Sequence, residues 1–139
     1  MIEVAAGVVR DGRGRVLIAR RRLDARGEWA ALEGLWEFPG GKREAGESYE
    51  SCLVRELREE LELTVTPLRV LLEMDHPTQG KPVHLAFVEA AADAAAPLAL
   101  HAHTEAAWVE PERLKDYAFC PADAAFVRIF NWAALPAGR

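Results

Sequence analysis

Three glutamates and two arginines stand close together in one short segment, Arg55-Glu56-Leu57-Arg58-Glu59-Glu60. If this segment is a helix that turns about 100° per residue, Glu56, Glu59 and Glu60 share an arc of roughly 100° on its surface. Like charges three or four positions apart destabilise a helix by about 0.2–0.5 kcal/mol per pair. Arg55 and Arg58 could screen the carboxylates, which would make the cluster an ordinary solvated face. A bound divalent cation is the alternative.

A glycine loop ahead of the segment favours the cation. Gly41 follows Pro39 and Gly40, and the backbone carbonyl of a residue without a side chain could approach the same ion. Mg²⁺ prefers hard oxygen ligands, is held by few carboxylates and fills its remaining positions with water and substrate phosphates. The loop and the carboxylates together predict a site for a metal-bound phosphate, with Mg²⁺ as the cofactor and Mn²⁺ as the alternative ion.

The spacing of these residues resembles the Nudix box. That motif is a glycine, five residues, Glu, seven residues, Arg-Glu-aliphatic, any residue, Glu-Glu, any residue, Gly and an aliphatic residue. The matching residues here are Gly41, Glu47, Arg55-Glu56-Leu57, Glu59-Glu60 and Leu63. Glu62 departs from the motif, because the family has glycine at this helix exit. Glu62 must therefore adopt a positive φ or end the helix differently, although no metal ligand is lost.

The likeness extends beyond the box to the MutT-type nucleoside triphosphate pyrophosphohydrolases, including the branch that acts on CTP and 8-oxo-dGTP. The similar segments are residues 4–9, 18–21, 35–41 and 119–123. The resemblance implies an α/β fold, the Nudix α/β/α sandwich with a mixed β-sheet between helices, and a single domain over residues 1–139. It also implies a nucleoside triphosphate substrate.

The resemblance assigns a role to each matching residue. Glu56, Glu59 and Glu60 would be catalytic and would hold the metal together with the Gly41 carbonyl. Glu47 would support the site from the loop, and Arg55 would orient the carboxylates from behind the ligands. The expected substrate contacts are Arg21 to the phosphates, and Phe38 and Asp123 in the base pocket.

Asp123 has two compatible interpretations. A carboxylate can accept hydrogen bonds from the edge of a base, and a protonated carboxyl can also donate one. Asp123 also lies in the first turn of a predicted helix, where a negative charge is favourable. The preferred base stays open: oxidised purines such as 8-oxo-dGTP lead, which would make the protein a guardian of the nucleotide pool, and CTP-type pyrimidines follow.

The family often supplies another acid from the loop ahead of the Trp108 strand. The corresponding residue here is Ala102, with His101, His103 and Glu105 nearby. Either this acid is dispensable, or Glu105 or a histidine replaces it. Because a lone loop histidine is more often a surface residue than a ligand, His103 is not expected in the site.

The expected chemistry is attack of water on a phosphorus of the triphosphate chain, which yields the nucleoside monophosphate and pyrophosphate. Which glutamate takes the proton of the water stays open, with Glu56 as the candidate. ADP-ribose, a dinucleoside polyphosphate or another nucleoside diphosphate derivative is the alternative substrate. A Nudix-shaped sensor without turnover is a third hypothesis, but a module that only binds has no need of clustered carboxylates.

The elements that position these residues follow from periodicity and breakers. Ser48 is placed to cap a helix running to about Glu62, and leucines at 53, 57 and 61 form its buried stripe. Strands are predicted at residues 2–9 and 16–18, as a hairpin with a glycine turn, and at 35–38, 64–66, 68–74, 83–88 and 106–109. The other predictions are a loop with one helical turn at 23–34, a breaker at 39–41, a connection at 90–96, a helical turn at 111–114 and a helix at 121–132 with Phe126, Ile129 and Phe130 on one face.

Composition limits the partners. The chain has 139 residues, 50% of them hydrophobic and 28% charged, which fits one globular domain. A net charge of −5 argues against a nucleic acid polymer as partner. We find no apolar run that would span a membrane and no signal peptide, and two cysteines make no disulfide framework, so a cytoplasmic location is expected. Monomer and homodimer both stay open.

Overall fold

The computed structural model describes residues 1–22, 32, 34–78 and 80–136. Within these ranges the strands are β1 (Ile2–Arg10), β2 (Val16–Arg21), β3 (Trp36–Glu37), β4 (Gly40–Lys42), β5 (Thr66–Asp75), β6 (Val83–Ala91) and β7 (His103–Val109). The α-helices are α1 (Tyr49–Leu61) and α2 (Pro121–Ile129), and 3₁₀-helices cover Pro111–Asp116 and Trp132–Ala134. None of the described helices is long and apolar enough to cross a membrane.

The strands form one mixed sheet in the order β3-β2-β1-β6-β5, with β4 paired to β1 and β7 paired to β2. The β1–β6 pair is parallel over its whole length, and the other pairs are antiparallel. The predicted hairpin is wrong in its pairing, because β1 and β2 pair only at Arg10 and Val16, next to the turn. Beyond that point β1 pairs with β4 and β6, while β2 pairs with β3 and β7.

Helices cover both faces of the sheet. On one face the leucine stripe of α1, Leu53, Leu57 and Leu61, is fully buried against β1, as the periodicity predicts. On the other face an aromatic cluster joins the sheet to α2: the ring of Phe87 stacks on that of Phe126 at 4.0 Å between centroids. Strand residues alternate between the two cores because successive side chains point to opposite faces. This arrangement is the predicted α/β/α sandwich.

Several predicted boundaries are wrong. The breaker at 39–41 contains a strand, since Gly40 and Gly41 belong to β4. The predicted strand at 35–38 is shorter, the connection at 90–96 begins inside β6, the strand at 106–109 starts at His103, and the strand at 64–66 starts at Thr66. Helix α2 ends at Ile129, because the chain becomes extended at Phe130 and brings Trp132 back onto the aromatic cluster. Ile129, which was predicted to share one face with Phe126, is 61% exposed. Residues 23–31 and 33 of the predicted loop lie outside the described residues.

Side chains at both ends of helix α1 fix its position. The Ser48 hydroxyl accepts from the Ser51 amide at 3.0 Å, and the Ser51 hydroxyl accepts from the Ser48 amide at 3.1 Å, so the predicted cap is confirmed as a capping box. At the other end Glu62 adopts φ 52° and ψ 37°, and it is the one non-glycine residue with positive φ in the described ranges. The chain therefore keeps the left-handed exit of the family motif with a glutamate in place of glycine.

We expect Glu62→Gly to raise the free energy of unfolding by about 1 kcal/mol, because a Cβ in the left-handed region costs roughly that amount. The substitution also removes an exposed ion pair with His101, but exposed pairs contribute little. Urea unfolding measures the effect. Glu62→Ala is the control, since it removes the same pair and keeps the Cβ; an equal change in both variants would contradict the prediction.

Candidate active site

Arg55 contacts several of the residues that match the Nudix box. Its guanidinium holds both carboxylate oxygens of Glu47, with Nε 2.7 Å from Oε2 and Nη2 2.9 Å from Oε1. Its Nη1 lies 3.0 Å from Glu56 Oε1 and 3.4 Å from Glu59 Oε2. Nη2 also donates to the Lys42 carbonyl at 3.1 Å. Arg55 therefore contacts the loop and two of the three helix carboxylates at once, which is compatible with the positioning role that the resemblance implies.

The carboxylates of this network differ in their acidity. The hydrogen bonds from Arg55 lower the pKa of Glu47 to about 2, so this residue is ionised at neutral pH. Burial raises the pKa of Glu56 above its ordinary value, although Arg55 acts in the opposite direction. The Glu59 side chain is 59% exposed at the rim. Glu56 thus has the environment of a proton acceptor and Glu47 that of a structural anchor.

The Glu56 carboxyl occupies the space that a side chain at position 41 would need. A Cβ on Gly41 would lie 2.4 Å from the Glu56 carboxyl carbon. The Cys52 thiol lies 3.6 Å from the Gly41 carbonyl oxygen. Strand β4 therefore presents its backbone directly to the acidic face of α1, where the Gly41 carbonyl was predicted as a metal ligand.

Substitutions at the two glycines of β4 should separate fold from activity. A Cβ on Gly40 would lie 1.8 Å from the Ala5 carbonyl oxygen, which cannot move, so Gly40→Ala should destabilise the protein by at least about 1–3 kcal/mol. The clash at Gly41 is with the end of the Glu56 side chain, which can turn aside by giving up its contact with Arg55, so Gly41→Ala should fold normally but lose about 10²-fold in kcat through the displaced carboxyl. Thermal unfolding and steady-state kinetics test both. Full activity in Gly41→Ala would contradict the placement of Glu56.

Glu60 belongs to a second group that the sequence did not predict. One carboxylate oxygen each from Glu37 and Glu60 and one ring nitrogen of His103 lie within 4.8 Å of one another. Glu37 Oε2 is 2.8 Å from His103 Nε2, and Glu37 Oε1 is 2.8 Å from Arg21 Nη1. Burial, followed by the negative charges of Glu37 and Glu56, raises the pKa of Glu60 to about 9.

His103 does not follow the general rule that a lone loop histidine is a surface residue. The residue is 2% exposed, because it opens strand β7 opposite Arg21 of β2. The other two candidates for the missing acid are elsewhere: Glu105 pairs with Arg20 at 3.0 Å, and His101 pairs with Glu62. One pattern in the sequence could have placed Glu37 in this group. In Trp36-Glu37-Phe38 the two aromatic side chains face one core, so the side chain between them points to the opposite face of the sheet.

The predicted substrate residues line one cleft. Arg21, Phe38 and Asp123 all border it, and Gly41 and Lys42 line the same cleft. The Phe38 amide donates to Asp123 Oδ1 at 3.3 Å. Burial, and then the charge of Glu37, raises the pKa of Asp123 well above its ordinary value. The Phe38 ring itself is almost fully buried and stacks on Phe119, so it forms the floor of the cleft.

The donor set fits a divalent cation. The residues that face each other across α1 and β4 offer hard carboxylate and carbonyl oxygens, which such ions prefer. Glu60 Oε2 is buried and has no hydrogen-bond partner, and a bound cation would satisfy it. The cleft also contains the positively charged guanidinium of Arg21 and the buried carboxyl of Asp123.

Comparison with known proteins gives the same result from an independent direction. The NUDIX domain model matches residues 1–130. The CTP pyrophosphohydrolase of Escherichia coli K12 is 38% identical over 140 residues, which cover 100% of this chain and 96% of that protein. The 8-oxo-dGTP diphosphatase of Proteus vulgaris is 38% identical over 86 residues, or 62% of this chain and 72% of that protein.

Solved structures share the fold. The MutT protein from Methanosarcina mazei Go1 superposes with a TM-score of 0.77 at 25% identity, over 91% of this chain and 90% of that one. The solution structure of the E. coli ORF135 protein gives a TM-score of 0.73 at 34% identity, over 92% and 86%. A family match over nearly the whole chain, a relative of the same length and the observed sandwich agree, and the chain belongs to the Nudix family of divalent-metal-dependent hydrolases, which cleave acid anhydrides.

Proposed function

We propose that this protein hydrolyses nucleoside triphosphates to the monophosphate and pyrophosphate with Mg²⁺ as its resident cation. The observation that carries the proposal is one cleft whose lining includes Gly41, Arg21 and Asp123. A polyphosphate can lie beside the acidic face of α1 while its base reaches Asp123. Such an enzyme would act on the cytoplasmic nucleotide pool, as a monomer or homodimer.

The acidic face of α1 supplies the reacting groups. Glu56, Glu59, Glu60 and the Gly41 carbonyl would hold the cation, which when bound neutralises phosphate charge and lowers the pKa of water. In the reaction the water oxygen forms a new bond to phosphorus, the P–O–P bridge to the leaving pyrophosphate breaks, and the proton of the water passes to a base. Glu56 is the proposed base, since burial brings its pKa closer to neutrality than that of Glu47.

Asp123 would read the base. Because burial favours its neutral form, the carboxyl can donate through one oxygen and accept through the other. Cytosine presents an exocyclic amine beside an acceptor nitrogen, and 8-oxoguanine presents a ring N–H beside a carbonyl oxygen. Both edges offer the adjacent donor and acceptor that a neutral carboxyl pairs with. Because a neutral carboxyl suits both edges, Asp123 does not rank the two bases. Oxidised purines such as 8-oxo-dGTP are kept as the first candidate, and CTP-type pyrimidines, the substrate named for the relative that covers the whole chain, are the second.

A substrate panel tests the proposal. We expect kcat/KM with Mg²⁺ to be higher for 8-oxo-dGTP than for dGTP, or higher for CTP and 5-methyl-dCTP than for either purine. ADP-ribose should be a poorer substrate than the preferred triphosphate. Preference for ADP-ribose would replace the substrate class, and binding without turnover of any nucleotide would favour the sensor hypothesis.

A further inference from the structure

A change of register between β2 and β7 sets the direction of the His103 side chain. Side chains two positions apart in a regular strand share a face, so Glu105 and His103 would be expected to point the same way. Their partners in β2 are instead Arg20 and Arg21, which are neighbours and therefore point to opposite faces. One residue of β7 is skipped between them, as in a β-bulge. Bulges often lie next to active sites, where they redirect a side chain.

Glu37 joins His103 to Arg21. Its Oε2 lies 2.8 Å from His103 Nε2, and its Oε1 lies 2.8 Å from Arg21 Nη1. As the ion-pair partner of a guanidinium, Glu37 is a carboxylate and can only accept. His103 Nε2 therefore carries a hydrogen and donates it to Glu37. Side chains from three strands, β7, β3 and β2, thus form one series of hydrogen bonds that ends at the Arg21 guanidinium.

The two ends of this series differ in their exposure. The Arg21 side chain is 26% exposed and lines the cleft, whereas the His103 side chain is 1% exposed and is not among the residues that line it. A ligand in the cleft can therefore contact Arg21 directly, but His103 can affect that ligand only through Glu37. An arginine side chain has many rotamers, so the direction of its guanidinium depends on where Glu37 is held.

We propose that His103 is a positioning residue for substrate binding: through Glu37 it holds the Arg21 guanidinium in the direction that meets the phosphates. The inference rests on the proposed function, because it takes Arg21 as the phosphate contact that the sequence predicts. The Glu37 side chain is 13% exposed and lines the cleft. Without the His103 donor one of its oxygens is left unpaired, so the carboxylate is expected to turn toward water in the cleft and to carry Arg21 with it.

His103→Leu tests this role, because leucine fills the buried space and cannot donate. The other ring nitrogen, Nδ1, is buried and has no hydrogen-bond partner among the described residues, so the bond to Glu37 is the contact that the variant loses. We expect KM for the preferred triphosphate to rise about tenfold, since a hydrogen bond to a charged group is commonly worth that much in affinity. An interaction made equally with substrate and transition state changes KM alone, so kcat should stay within about threefold.

Two further variants control for the loss of a buried histidine. His103→Gln keeps a side-chain donor and should recover most of the lost affinity. His84→Leu makes the matched substitution at a histidine that also contacts carboxylates, at 2.6 Å and 2.7 Å, but does not line the cleft. KM should not change in this variant. Circular dichroism shows whether each protein is folded.

A double-mutant cycle separates positioning from a merely structural role. Arg21→Met removes the guanidinium, so adding His103→Leu to it should change KM by no more than about twofold. Rises in KM that multiply in the double variant would overturn the proposal, because His103 would then act independently of Arg21. An unchanged KM in His103→Leu alone would also overturn it.

Two measurements need no turnover. Long-range ¹H–¹⁵N NMR of the wild-type protein should find the ring hydrogen of His103 on Nε2, and a hydrogen on Nδ1 alone would overturn the proposal. Calorimetry with inorganic tripolyphosphate and Mg²⁺ should show weaker binding by His103→Leu than by the wild type. Equal binding by both proteins, or none by either, would overturn this inference. Failure of triphosphate hydrolysis would contradict the proposed function but leave these two results unchanged, so the two proposals fail separately.

Discussion

Glu56→Gln is expected to lower kcat for triphosphate hydrolysis by roughly 10²- to 10⁴-fold, the usual contribution of a general base. The amide keeps the shape of the side chain and its contact with Arg55 but cannot take a proton. The fold should not suffer. Burial raises the pKa of Glu56, so the ionised carboxylate opposes folding at neutral pH, and a neutral amide removes that opposition. Kinetics at saturating Mg²⁺ and thermal unfolding without metal measure the two effects.

Glu50→Gln is the matched control for charge. It removes one carboxylate from the first turn of the same helix and should leave kcat close to the wild-type value. A kcat in Glu56→Gln that equals that of Glu50→Gln would remove Glu56 from the chemistry. A large loss of stability in Glu56→Gln would instead assign the residue a structural role.

Asp123→Ala is expected to lower kcat/KM for the preferred triphosphate by roughly 10- to 100-fold. A hydrogen bond between neutral groups is worth about 0.5–1.5 kcal/mol, a neutral carboxyl can make two of them to a base edge, and each 1.4 kcal/mol is tenfold in affinity. Asp123→Asn tests whether the carboxyl acts in its neutral form. An amide has one acceptor and one donor side, as a neutral carboxyl does, so this variant should stay within about tenfold of the wild type.

The pair of variants also controls for folding. Asp123 accepts the buried Phe38 amide, which Asn can still satisfy and Ala cannot, so unfolding curves accompany the kinetics. Asp116→Ala, at an exposed acid, should leave the preference among bases unchanged. If Asn and Ala lose the same activity while both stay folded, the base is read by an ionised carboxylate or by another residue.

Features that depend on neighbours in sequence were predictable. The capping serine, the leucine stripe and the shared face of Glu56 and Glu59 all lie on one helix, so spacing alone relates them. The sequence predicted that the Gly41 backbone comes close to the acidic face of the helix. It did not predict that Gly41 belongs to a strand, because glycine usually ends strands. The strand forms here because Gly41 pairs with Ala5 of β1.

Features that depend on strand register were not predictable. Glu37 and His103 meet because β3 and β7 pair with opposite edges of β2, where Glu37 lies opposite Ala19 and His103 opposite Arg21. The pairing changes register at Arg21, which no local pattern indicates. The same dependence explains the hairpin error: the turn after Arg10 is local, whereas the choice of partner for β1 is not.

The products of a single reaction test the central claim most directly. Phosphorus NMR of the preferred triphosphate with enzyme and Mg²⁺ should show the nucleoside monophosphate and pyrophosphate appearing in equal amounts. Removal of the metal by a chelator should stop the reaction. Release of orthophosphate with the nucleoside diphosphate, or turnover that continues without a divalent cation, would contradict the account.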